Sequence, residues 1–178
     1  MPLKTFHNLD EKRKSTIINE AYNEFAFNSY QAASVSNIVK KLEIAKGSFY
    51  RYFKDKADLF AFLLENISEK RMNQLHDLLE DGPTGFFEIV REYFRKRIIF
   101  DLEHPVESIF LYNALRENNV SEVKSIIEDY KKEVLLFISS LVVVFQKKGE
   151  IINDISPEVS SHLIYQTQMG IYEYLSVF

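Results

Sequence analysis

Apolar residues recur at three- and four-residue intervals along most of the chain, which is the period of an amphipathic helix. Ile17, Ile18, Ala21, Tyr22 and Phe25 form the first stripe. Their helix is predicted to begin near Asn8 or Asp10, either of which can accept bonds from free backbone N–H groups, and to end around Asn28-Ser29. A second helix is predicted from Ser34, a good N-cap. Val35, Ile38, Val39 and Leu42 there keep the i, i+3, i+4, i+7 spacing without a miss, opposite Ser36, Asn37, Lys40 and Lys41. A third, over residues 45–53, follows a connection of two or three residues. A fourth begins near Asp55 and carries Leu59, Phe60, Leu63, Ile67, Leu75, Leu78 and Leu79 toward residue 80, before Asp81-Gly82-Pro83 stops it. At 1.5 Å per residue that helix is on the order of 35 Å long.

Further helices are predicted near 84–101, 105–117, 121–147 and 157–177. Pro105 and Pro157 stand near helix starts, where a missing N–H does no harm. Lys147-Lys148-Gly149 has the cationic last turn and glycine stop of a helix C-terminus. No alternating pattern rises above background, so the expected fold class is all-α.

Composition narrows the function classes. The 178 residues are 46% hydrophobic and 27% charged, which suits a folded globular chain and excludes disorder as a main theme. The absence of cysteine excludes a disulfide framework, a thiolate metal site and a cysteine nucleophile. MPLKTFHNLDEKRK lacks the apolar run of a signal peptide. The longest apolar stretch, VLLFISSLVVVF at 134–145, falls short of the about 20 residues that a membrane span requires. The expected location is therefore cytoplasmic, with no membrane partner. His7, His76, His104 and His162 stand far apart, and no glycine-rich phosphate loop, nucleophile elbow or paired acidic motif occurs. Neither enzyme activity, nor a metal, nor a cofactor is expected.

The formal charge of −4 hides a split. Residues 1–60 carry ten Lys/Arg against seven Asp/Glu, and the remainder twelve against nineteen. A basic head on an acidic body suits nucleic-acid binding at one end. The densest cluster is AKGSFYRYFKDKADLF, residues 45–60, with five aromatics and four Lys or Arg. Phe49 and Phe53, four apart, must point inward against Leu42 and Ile38. The other side of the helix then presents Gly47, Ser48 and Arg51, flanked by Lys46 with Tyr50 and by Tyr52. Cations neutralise phosphate, hydroxyls donate to its oxygens, and glycine admits close backbone approach. Together with the preceding helix this is a helix-turn-helix.

The run SVSNIVKKLEIAKGSFYRYFKDKADLF, residues 34–60, resembles the DNA-binding segment of the TetR family of bacterial transcriptional regulators. Ile38, Lys46, Gly47, Ser48, Tyr50, Tyr52, Phe53, Lys56, Leu59 and Phe60 fall in the family's register. The resemblance implies that Ser34, Ser36, Lys46, Gly47, Ser48, Tyr50 and Tyr52 lie at the DNA and that Lys56 adds a phosphate contact. Arg51 joins them from the helical wheel. Two positions depart from the family pattern. Glu43 stands where a turn glycine is usual, and Ala45 stands where a serine usually caps the recognition helix.

The resemblance further implies an N-terminal DNA-binding domain over residues 1–55, a connector helix over 55–80, and a helical regulatory and dimerisation domain over 81–178. Residues 134–145 are apolar around nearly the whole helix, so burial on several sides is expected. A homodimer follows if residues 121–147 and 157–177 of two chains form a four-helix bundle, with Gly170 permitting close approach. Its two heads would read a palindromic double-stranded DNA operator. Phe87, Val90, Phe94, Phe110, Asn113, Tyr130, Phe137, Tyr165 and Gln166 are candidates to line a site for an apolar or aromatic small-molecule effector. The expected function is a dimeric, ligand-responsive repressor. The alternatives are a DNA-binding adaptor of the same fold without an effector, and a helical small-molecule-binding protein that does not bind DNA.

Overall fold

The computed structural model describes residues 2–81, 85–117 and 119–175, apart from the side chains of 74–76, 78–81 and 172–175. The predicted stop at Gly82-Pro83 and the side chains of Leu75, His76, Leu78 and Leu79 lie outside the described residues. The chain is all-α, and among the described residues no strand occurs and no helix is long and apolar enough to cross a membrane. The order is α1 (Lys4–His7), α2 (Glu11–Ala26), α3 (Val35–Lys41), α4 (Lys46–Phe49), α5 (Lys56–Asp81), α6 (Phe86–Glu103), α7 (Pro105–Ala114), α8 (Ser121–Lys147) and α9 (Pro157–Leu175).

The boundaries follow local chemistry. Asp10 caps α2 by accepting the Arg13 N–H at 2.9 Å. Ser34 caps α3 by accepting the Ser36 N–H, and Asp55 accepts the Asp58 N–H at the start of α5. Gly149 closes α8 in the left-handed region, φ +76°, and Glu150 N donates to Phe145 O at 3.0 Å.

Helices α2, α3 and α4 form the head, with α1 clamped beneath. Phe6 of α1 is buried, its ring 5.0 Å from Phe53 and 5.4 Å from Phe62. Helix α5 leaves the head and packs in turn on α6, α7 and α8, while α7 lies along α2 and α9 pairs with α8. The head's apolar core does not end at α5. It continues through Phe25, Phe60 and Phe110, whose rings meet at 5.4–6.2 Å, into Leu111, Ala114, Val123 and Ile127. A second small cluster, Ile89 and Phe145, sits apart among Phe86, Tyr93, Phe137 and Ile151.

Candidate nucleic-acid interface and internal cavity

The connection from α3 to α4 turns at Glu43, which takes φ +53°, a conformation that favours glycine. Ile44 N then donates to Val39 O at 3.0 Å and holds the turn. Helix α4 is shorter than the predicted 45–53. Its regular part ends at Phe49, and residues 50–53 continue as a turn in which Tyr52 N and Phe53 N both donate to Phe49 O. Ala45 stands at the N-cap with no side-chain bond.

This short element has two unlike sides. Phe49 and Phe53 are 2% and 0% exposed, stacked into the head's core. Lys46, Gly47 and Arg51 are exposed, Tyr50 is 47% exposed, and Ser48 is half-buried. A Cβ built on Gly47 would meet nothing within 4 Å, so nothing in the described fold itself calls for a glycine there. Ser36 is exposed and Ser34 half-buried at the start of α3. Tyr52 is half-buried with its ring edge toward Phe6.

Lys56 is placed differently from its neighbours. Its ammonium donates to Tyr30 O at 2.7 Å and Ala33 O at 3.1 Å, and lies 4.4 Å over the Tyr30 ring. Two of its three donors thus hold the loop between α2 and α3. Three more side chains fix that loop. Glu24, 3% exposed, accepts from Ser34 N at 2.9 Å and Asn37 Nδ2 at 3.0 Å. Glu117 accepts from Tyr30 N at 2.8 Å, and Asn113 Nδ2 donates to Ala26 O at 2.9 Å. Burial, with Glu122 and Asp55 adding to it, pushes the Tyr30 phenol up to about 12.

The body encloses a cavity of about 100 Å³ between α5, α6, α7, α8 and α9. Of the predicted ligand-site residues, Val90, Phe94, Tyr130, Phe137 and Tyr165 line it. The other four do not. Phe87 is 75% exposed on the outer face of α6, and Gln166 is exposed beside His162. Phe110 lies fully in the core shared with the head, and Asn113 serves Ala26. Phe110 lies on a face that meets the head, whereas Phe87 and Gln166 lie on outward faces of their helices.

Sequence reasoning missed the cavity's charged residues, Arg71 and Arg97, which are 6% and 7% exposed. Arg71 pairs with Asp101 at 2.6 Å, and Asp101 also accepts from Ser108 at 2.6 Å and Tyr112 at 2.7 Å. Arg97 donates to the hydroxyls of Tyr93 at 3.1 Å and Tyr112 at 3.5 Å. The signal was present in the register. Arg71 falls four after Ile67, and Arg97 shares the face of Ile89, Tyr93 and Phe100, so both interrupt apolar stripes. Burial pushes the Tyr130 phenol up to about 12 against the opposing fields of Arg71 and Arg97. It raises Tyr165 likewise, against Arg97.

Residues 17–63 match the family model for bacterial regulatory proteins of the tetR family. The HTH-type transcriptional regulator YuxN of Bacillus subtilis is 28% identical over 145 residues, 79% of this chain and 48% of YuxN. The chain therefore spans about half the length of that relative. A TetR family transcriptional regulator from Chloroflexus aurantiacus superposes with a TM-score of 0.71 at 26% identity, over 98% of this chain and 80% of the other. FadR from Bacillus subtilis, solved in complex with stearoyl-CoA, has the same fold, with a TM-score of 0.75 at 23% identity over 88% and 83% of the two chains.

Proposed function

The chain belongs to the TetR family of bacterial regulatory proteins, and on that footing we propose a dimeric, sequence-specific DNA-binding transcriptional regulator whose hold on a palindromic operator responds to a small apolar ligand. The observation that carries this reading is the two-sidedness of residues 46–53. Phe49 and Phe53 anchor the element from below, and Lys46, Gly47, Tyr50 and Arg51 are left to face a duplex groove. Lys46 and Arg51 supply phosphate neutralisation or a guanine contact, and Ser48 and Tyr50 supply hydroxyl donors. The open space over Gly47 is room for a phosphate backbone. Ser34, Ser36 and Tyr52 flank the contact, and Lys56 acts chiefly by fixing the loop behind it.

In this reading residues 1–55 are the head, α5 the connector and residues 81–178 the body. Helices α8 and α9 pair with those of a second copy. Leu136, Val144, Val159, Leu163 and Ile171 of these helices are 37% exposed or more in the single chain. A Cβ on Gly170 would meet nothing within 4 Å, which suits close approach by a partner helix. The two heads would then meet successive major grooves about 34 Å apart.

Two elements link cavity and head. Helix α5 brings Ser68, Arg71 and Met72 to the cavity and begins at Lys56, under the loop between α2 and α3. Helix α7 brings Leu111 to the cavity, with Leu115 at its C-cap, while its Asn113 and the following Glu117 hold Ala26 and Tyr30. A coupling of about 1–3 kcal/mol through them would weaken operator binding roughly 5–150-fold.

The test is fluorescence anisotropy of the full chain with duplexes selected from a random pool. A salt-sensitive complex is expected. Lys46→Ala should lower the slope of log affinity against log salt by about 0.9. Tyr50→Ala should weaken binding by about fivefold. If no selected duplex gave a salt-sensitive complex, the reading would be wrong.

A further inference from the structure

The cavity wall is mostly aliphatic and aromatic, yet its two charged side chains are both guanidinium groups and no carboxylate lines it. Burying a cation beside hydrocarbon is costly unless an anion or strong acceptors meet it. Asp101 meets Arg71 from outside the lining. Even so, the Arg71 Nε is buried with no hydrogen-bond partner among the described residues. The Tyr165 hydroxyl is buried at the same wall and also lacks a partner there. A buried phenol and a guanidinium N–H left unmatched are donors awaiting an acceptor. Gln168, 5% exposed, adds an amide to the lining.

We propose that the cavity takes a monocarboxylate with a hydrocarbon body, its carboxylate seated by Arg71, Arg97 and Tyr165 and its body laid against Phe137, Leu141 and Phe145. A carboxylate fits better than a neutral acceptor because it has two oxygens with four lone-pair sites and makes charge-assisted bonds to guanidinium N–H groups. An amine would add a third cation to the same enclosure. This assignment rests on the effector reading above and narrows its chemistry from apolar to anionic and apolar.

The experiment is isothermal titration calorimetry of the full chain with straight-chain carboxylates of four to eight carbons, each beside its matched alcohol and amine. The acid is expected to bind about tenfold or more tightly than the alcohol, the amine not at all, and the acid alone to release a bound duplex. Arg97→Gln should bring acid and alcohol level. Tyr165→Phe removes a hydroxyl that has no hydrogen-bond partner among the described residues, and should reduce the acid's advantage over the alcohol by about fivefold. Should Arg97→Gln fail to fold, Tyr165→Phe decides the matter. Equal binding of acid and alcohol, or a preference for the amine, would overturn the carboxylate assignment and leave an apolar effector standing. Binding by none of the three classes would overturn both.

Discussion

Tyr22 in the head and Tyr165 in the body are both buried phenols, and their surroundings differ as their regions do. The Tyr22 hydroxyl donates to Leu63 O at 2.9 Å, with Asn66 Oδ1 at 3.2 Å, and its ring meets Phe110 edge-on at 5.3 Å. The Tyr165 hydroxyl has no partner among the described residues and lines a cavity. The head is filled with interlocking rings, and its buried Glu24 is matched by Ser34 N and Asn37. The body around α6, α8 and α9 holds open space and unmatched donors. One region is close-packed with its buried polar groups matched; the other keeps a cavity and buried polar atoms without partners among the described residues.

Truncation of an apolar side chain should separate the two regions most widely. Phe53→Ala removes a fully buried ring that touches Phe6, Phe49 and Phe62. Its expected cost is about 3–5 kcal/mol in urea unfolding, with DNA binding lost at temperatures where the wild type still binds. Val90→Ala on the cavity wall should cost no more than about 1 kcal/mol, because space already exists beside it. Similar costs for the two would remove the distinction between the regions.

Next in size is the buried carboxylate of the head. Glu24→Ala leaves the Ser34 N–H and the Asn37 amide without their acceptor. The expected loss is about 2–3 kcal/mol by the same measurement. Operator affinity should fall further than the stability loss explains, since Glu24 sets where α3 begins. A loss under about 0.5 kcal/mol would show that water replaces the carboxylate without consequence.

The two phenols give a smaller effect with opposite signs. Tyr22→Phe should cost about 1–2 kcal/mol, because it strips the hydroxyl that donates to Leu63 O. Tyr165→Phe should leave stability unchanged or raise it by up to about 1 kcal/mol in the unliganded chain, since a buried hydroxyl without a partner is a cost. A loss on Tyr165→Phe equal to that on Tyr22→Phe would mean the hydroxyl is satisfied, and the body would then resemble the head.

Legibility from sequence divides along the same line. In the head, short helices with capping residues and a tight turn leave each apolar position one place to go, so Ile38, Leu42, Phe49 and Phe53 all face inward as the spacing predicts. The helices of the body were also legible as helices, from Pro105 and Pro157 at their starts to Gly149 at a stop. The neighbours of their faces were not. Each body helix has more than one apolar side, and periodicity cannot say which side meets the cavity, the head or a second copy. Phe110 and Phe87 were assigned to one site on equal grounds, yet one is fully buried and the other 75% exposed. Helix α1 escaped notice because four residues cannot display a period. Arg71 and Arg97 escaped because an arginine within an apolar stripe reads as a break in the pattern, when it marks the polar end of the cavity.

The smallest effects belong to two departures in the head's own reading element, where improving the fold is still open. Ala45 sits at the N-cap of α4 with the extended backbone of a cap, φ −65° and ψ 141°, but with no side-chain bond. Ala45→Ser places an oxygen within reach of the first-turn amides and should add about 1 kcal/mol. Glu43→Gly should add less. Relief of the left-handed strain at φ +53° is worth about 1–2 kcal/mol, and the greater freedom of glycine in the unfolded chain takes back about 0.4–1. A net gain of about 0.5 kcal/mol is expected, seen as a small rise in the urea midpoint at constant slope. Both changes leave Lys46, Tyr50 and Arg51 untouched, so operator affinity should hold or rise slightly. A fall in affinity after Glu43→Gly, with stability unchanged, would show that the strained turn sets the angle at which α4 meets DNA.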